Sequence, residues 1–205
     1  MKPLFIPTKL KSKVNKSRIL EISKKLPKNI AIAYPIQYED QAGEMKKVLS
    51  KKHNITKFTQ VLGCSKPKLP KSTQALLLIS DGKFHAVSLA IGTDFPIYIY
   101  NGNRLEKISD KDVRSMRQKQ KVAYLKFLNA KKVGILVSTK PNQQNLKKAL
   151  ALKSKLKNKD SYIFIGNNLN PAEFENFGLD VYINTACPRL IFDSEKIMDI
   201  SEIKP

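Results

Sequence analysis

The feature that most constrains this chain is an order of segments that it runs through twice: a short β-prone apolar run, a helical stripe, a second β-prone run, and a cysteine just beyond a strand. In the first half Asn29-Ile-Ala-Ile-Ala-Tyr34 reads as a buried strand, and Tyr38, Ala42, Met45 and Leu49 share one face of the helix that follows Pro35. Ile55 to Leu62 is the next strand, stopped at Gly63-Cys64. Ala75-Leu-Leu-Leu-Ile79 is a third, broken by Ser80-Asp81-Gly82 before a short helix over Phe84 to Ile91. Ile97-Tyr-Ile-Tyr100 then ends at Asn101-Gly102, a strong turn dipeptide. Ser109 followed by Asp112 predicts the start of a connecting helix, and Val113, Met116, Ala123, Tyr124, Phe127 and Leu128 carry its stripe as far as Asn129.

The second half repeats the plan. Lys132 to Ser138 is a strand, Asn142 to Leu156 a helix with Leu146, Ala149, Leu150 and Lys153 in register, and Ser161 to Ile165 a strand. Asn170-Pro171 with Glu173 caps a short helix, and Leu179 to Asn184 is the last strand expected. The fold class is therefore α/β: two similar small parallel-sheet βαβ modules, residues 1–108 and 109–205, with right-handed crossovers and flanking helices, each presenting one Cys at a strand end. Residues 1–29 are basic, with one helix-like piece from Ser17 to Leu26, and the tail from Ser194 to Pro205 carries no pattern.

Charge narrows the partners. The chain has 38 Lys+Arg against 17 Asp+Glu, a net +21 that favours an acidic partner such as RNA, a ribosome or an acidic protein. The lysines are scattered over helix faces and element ends, as solvated surfaces require, no RNA-recognition signature with interleaved aromatics occurs, and Trp is absent. That argues against direct nucleic-acid binding. The apolar runs are too short to span a bilayer, and Met1 to Pro7 has no apolar signal core, so the expectation is a cytoplasmic protein without membrane contact. In that compartment two cysteines read as reduced thiols, metal ligands or redox groups rather than a disulfide.

Where a strand stops, ligands collect, because the carboxyl edge of an open α/β sheet is its usual binding edge. Val181-Tyr-Ile-Asn-Thr-Ala-Cys-Pro-Arg189 places Cys187 there, and a lone cysteine at such a place is equally well a small buried apolar residue. Cys64 occupies what reads as the equivalent place in the other module, and two thiols so related suit one shared metal centre. Zinc fits poorly, for it wants four ligands with local CxxC-type spacing. His53, at the end of a lysine-rich helix, is expected in solvent; His85, just after the Gly82 turn, reads as a helix-cap, core or functional residue. No adjacent residue offers a base for a cysteine nucleophile, and neither GxGxxG nor GxxxxGK[ST] occurs.

Four motifs in order, Val61-Leu-Gly-Cys64, Asp81-Gly-Lys-Phe-His85 with Leu89-Ala90, Val137-Ser-Thr-Lys140 with Gln143, and Asn184-Thr-Ala-Cys-Pro-Arg189, resemble the diphthamide-synthesis enzymes of archaea and their eukaryotic relatives, from about Phe5 to Asp193. The resemblance implies a non-standard radical S-adenosylmethionine enzyme that acts on translation elongation factor 2. In that family three similar α/β domains each give one cysteine to a 4Fe-4S cluster whose open iron binds the cofactor, and reduction yields a 3-amino-3-carboxypropyl radical that adds to a histidine ring. Carried onto this sequence, Cys64 and Cys187 match cluster ligands of the second and third domains. Ser138, Thr139, Lys140 and Gln143 match a loop beside the cofactor pocket, although Asn142 stands where the pattern has glycine. Gly82, His85 and Arg189 complete the expected cofactor-binding set, with an ion pair of Arg189 and Asp193 as the alternative for that arginine. The first domain has no counterpart, so the resemblance implies a separate polypeptide supplying the third cysteine, together with an electron donor of unknown identity. A cluster-free scaffold subunit that binds a sister subunit or elongation factor 2 is the competing reading.

Overall fold

The computed structural model describes residues 4, 6–11, 14–62, 65–102 and 104–203. The chain divides into two compact units, Met1–Val113 and Arg114–Pro205. Among the described residues no helix is long and apolar enough to cross a membrane.

The first unit runs α1 (Lys16–Ser23), β1 (Asn29–Tyr34), α2 (Glu39–Leu49), β2 (Asn54–Gln60), β3 (Ala75–Ile79), α3 (Lys83–Ile91), β4 (Ile97–Tyr100) and β5 (Leu105–Lys107). Its sheet has the order β2-β1-β3-β4-β5. β3 is buried along its whole length, which is why it reads as an unbroken apolar run: both its faces are covered. Ile30, Ile32, Leu77 and Ile79 face a core built with Ile19 and Ile22 of α1 and with Ala42, Met45 and Leu49 of α2. β1 to β4 are parallel, but β5 runs antiparallel to β4 through the turn at Asn101-Gly102, where Gly102 has φ 90°. The expected parallel sheet thus gains one antiparallel edge strand, which sequence reading misses because three residues carry no periodicity to read.

His53 is also corrected. It is half-buried, with Nε2 2.8 Å from Ser23 Oγ and Nδ1 2.8 Å from the Pro27 carbonyl, so it joins the end of α2 to the end of α1.

α4 (Asp110–Asn129) begins as the Ser109/Asp112 pair predicts, with Ser109 Oγ accepting from the Asp112 N–H at 3.1 Å. The second unit continues β6 (Lys132–Ser138), α5 (Leu146–Lys155), β7 (Asp160–Gly166), β8 (Val181–Asn184) and β9 (Ile197–Asp199), in the parallel order β7-β6-β8-β9. Ala123 and Phe127 of α4 and Ala149 and Leu152 of α5 pack against Val133, Ile135 and Val137 of β6. The opposite face of the sheet is aromatic, with Phe164, Phe174 and Tyr182 ring to ring and the Tyr182 hydroxyl donating to the Phe174 carbonyl.

Three expectations shift in this unit. α5 starts at Leu146 rather than Asn142, because Asn142 turns the chain at φ 63°. Its buried face is Ala149 and Leu152, whereas Leu146, Leu150 and Lys153 are exposed, and Leu128 of α4 is likewise half in solvent. The tail is structured: Ile197 and Met198 of β9 are buried beside β8.

Candidate functional site

Sheet order locates the candidate edges. In the first unit β1 is flanked by β2 and β3, and in the second β6 is flanked by β7 and β8, so successive crossovers leave the central strand in opposite directions. A crevice opens outside the carboxyl ends at such switch points. In the second unit the switch lies between β6 and β8, and the loops after those two strands are the ones that carry Ser138, Thr139, Lys140 and Gln143 on one side and Cys187 and Arg189 on the other.

Hydrogen bonds make those loops one piece. The buried Ser138 hydroxyl accepts from the Lys140 N–H at 3.1 Å, and the Gln143 N–H donates to the Lys140 carbonyl at 3.0 Å. That closes a turn in which Asn142 takes the left-handed backbone glycine favours, which asparagine tolerates better than most residues. Asn145 Nδ2 then reaches across to donate to the Thr185 carbonyl at 2.6 Å, tying the β6 loop to the β8 loop. Thr185 is held in turn, its N–H and hydroxyl both donating to the Leu136 carbonyl at 3.1 and 2.7 Å.

Asn184 sets the cysteine. Fully buried at the end of β8, it accepts from the Ala186 N–H and donates through Nδ2 to the Cys187 carbonyl, each at 2.9 Å. Pro188 then starts a 3₁₀ turn, Pro188–Phe192, from which Arg189 points to solvent. The Cys187 thiol is free and half-buried. Ser138 thus spends its hydroxyl on shaping the loop, while Thr139 is exposed and Lys140 and Gln143 are half-exposed. Asn145 and Asn184 are the positioning groups that motif reading misses: the carbonyl partner of Asn145 lies far along the chain and shows only in the fold, whereas the contacts of Asn184, two and three residues on, form an asparagine turn that the residue type could have signalled.

In the first unit the switch lies between β1 and β3, where Asp81, Gly82 and His85 follow β3. Burial, and then the Asp81 carboxylate bonded to it, pushes the Tyr38 hydroxyl up to about 12. His85 sits in the first turn of α3, half-buried, its imidazole held below its ordinary pKa by burial against the upward pull of Asp81. Gly82 has φ −105°, and a Cβ there would meet nothing within 4 Å, so neither its backbone nor its packing requires glycine.

Cys64 lies outside the described residues; beside it the Leu62 N–H donates to Ser65 Oγ at 2.7 Å and the Ser65 N–H to the Leu62 carbonyl at 2.9 Å. The two cysteines do not follow equivalent strands. Cys64 comes after β2, whose counterpart is β7, whereas Cys187 comes after β8, whose counterpart is β3. Among the described residues no group of three or more His, Cys, Asp or Glu side chains is placed to hold a metal.

Two open α/β sheets, with a free thiol and cationic and amide side chains along a switch-point edge, define an α/β protein whose candidate site lies in the loops at its strand ends. The chain belongs to the diphthamide synthesis protein family, whose model it matches over residues 1–197. It is 32% identical over 174 residues to the 2-(3-amino-3-carboxypropyl)histidine synthase subunit 1 of Schizosaccharomyces pombe, covering 80% of this chain and 39% of that one. It is 30% identical over 207 residues to the 2-(3-amino-3-carboxypropyl)histidine synthase of Methanocaldococcus jannaschii, covering 94% and 57%. The chain therefore spans only about 39% to 57% of the length of these curated relatives. The crystal structure of Dph2 from Pyrococcus horikoshii superposes with a TM-score of 0.76 at 26% identity, over 90% of this chain and 58% of that one. A second Dph2 structure from the same organism, with a 4Fe-4S cluster, shares the fold at a TM-score of 0.77, with 24% identity over 92% of this chain and 60% of that one.

Proposed function

We propose that this chain forms part of a transferase that moves the 3-amino-3-carboxypropyl group of S-adenosylmethionine to a histidine of translation elongation factor 2, by a radical route at a 4Fe-4S cluster. The observation that carries the reading is the free Cys187 thiol, held by a buried asparagine at the switch-point edge of a sheet. The donor chemistry fits in kind: Cys64 and Cys187 supply thiolates, the usual ligands of iron–sulfur clusters. It does not fit in number, because the sequence holds two cysteines, so the third ligand comes from protein outside these residues.

When bound, the cluster supplies an electron, received from a donor protein, and an open iron for the sulfonium cofactor. This chain's residues bind and orient. Lys140 and Arg189 offer positive charge to the cofactor's carboxylate, Thr139 and Gln143 offer hydrogen bonds, and Ser138 and Asn145 keep the loop closed around them. Gly82 and His85 border the edge of the first unit, where burial holds the imidazole below its ordinary pKa.

The test is anaerobic purification of the complex captured on this chain, with iron and sulfide counted. About four irons per complex and a brown chromophore are expected, and either Cys64→Ala or Cys187→Ala removes both. A colourless, iron-free complex that still holds its partners would replace this reading with the scaffold.

A further inference from the structure

Between Asp112 and Asp160 the chain carries fourteen Lys or Arg and no Asp or Glu, although it has 17 acids in all. The stretch builds most of α4, all of β6 and α5. Since α4 and α5 bury their apolar sides in one cluster on the same face of β6, this acid-free layer is the outer skin of that face. Lys121, Lys147, Lys148 and Lys153 are exposed, and none of them joins an ion pair among the described residues. The first unit behaves differently: Lys9 pairs with Glu39, Arg18 with Glu21 and Lys83 with Glu106.

A merely solvated lysine layer has no use for open apolar side chains, yet here they stand among the charges. Leu125 and Leu128 of α4 are 57% and 52% exposed, and Leu146 and Leu150 of α5 are 42% and 52% exposed. Each pair is spaced to share a helix face. Beside Leu125 lies an open groove of about 560 Å³ whose walls include Lys126, Leu179, Lys196 and one acid, Asp180, whose carboxylate accepts from the Lys131 and Lys132 N–H groups.

We propose that the outer face of α4 and α5 docks a partner protein whose surface is acidic and carries apolar side chains among its acids. Charge complementarity steers such a partner, and the leucines give it anchors once water is excluded. RNA suits the face less well, because stacking on bases needs exposed rings, whereas Phe127 is buried and Tyr124 half-buried. A bilayer surface also suits it less well: the continuous apolar side of α4, with Met116, Ala123 and Phe127, is already consumed inside the protein. The proposal stands apart from the transferase reading.

The test uses the full chain and four probes: a helical Glu/Leu peptide, the same peptide with Leu→Ser, a single-stranded RNA of equal charge, and anionic phosphatidylserine vesicles. At moderate salt the Glu/Leu peptide is expected to bind about tenfold or more tighter than its serine version. The combined Lys147→Glu, Lys148→Glu and Lys153→Glu changes weaken it by a similar factor, and Leu125→Ser with Leu128→Ser abolishes the preference for leucine while circular dichroism shows the fold retained. Equal binding of the two peptides overturns the proposal, as does RNA or vesicle binding that displaces the Glu/Leu peptide. Should the charge variant not fold, the leucine comparison on the unaltered chain still decides.

Discussion

Asn184 performs two tasks that few side chains combine, accepting from one N–H and donating to one carbonyl while sealed from solvent. Asn184→Ala leaves the Cys187 carbonyl and the Ala186 N–H without those bonds, and the expected loss is about 1–3 kcal/mol in urea unfolding. The released loop should also let Cys187 react faster with a thiol reagent in a Cys64→Ala background; unchanged reactivity would mean that the asparagine supports the sheet and not the cysteine. His85 makes a pH prediction. Burial lowers its pKa from the ordinary 6.5, so the folded chain binds fewer protons than the unfolded one just below that value, and stability falls as pH drops through the window. Urea midpoints near pH 5.5 and 7.5 should therefore differ more in the parent chain than in His85→Gln, and equal differences would remove burial as the cause. At this scale the site was half legible. The cysteines and the Ser138 loop show in sequence because each follows a strand, whereas Asn145 acts through the Thr185 carbonyl, which only folding brings into reach, and Asn184 acts through a local asparagine turn that strand patterning passes over.

Among the elements, β6 imposes the sharpest demand. A Cβ on Gly134 would sit 2.3 Å from the Tyr182 ring of the neighbouring β8, a buried ring whose hydroxyl is already committed to the Phe174 carbonyl. Gly134→Ala is expected to cost about 1–3 kcal/mol by thermal or urea unfolding, and a neutral result would show that Tyr182 swings aside. This also explains what sequence reading recovers. Asn29–Tyr34, Ala75–Ile79 and Lys132–Ser138 are legible as strands because they lie inside their sheets, so nearly every position must be apolar. β5 and β9 have three residues each, too few for a period, and owe their existence to the strands beside them. The face of α5 is hard to read for a related reason: Leu146 and Leu150 look like core residues, but the helix turns Ala149 and Leu152 inward and leaves those two leucines exposed.

For the molecule as a whole, the two units each close a core of their own, one around β1 and β3 and the other around β6 and β8. Stability should then be local. Leu77 is fully buried in the first core, and Leu77→Ala is expected to cost about 2–5 kcal/mol there, through lost transfer energy and the cavity left behind. If each core opens on its own, amide hydrogen exchange in the full-length variant rises in β1 and β3 while β6 and β8 keep their protection. Equal loss of protection in both sheets would instead make the chain one cooperative unit.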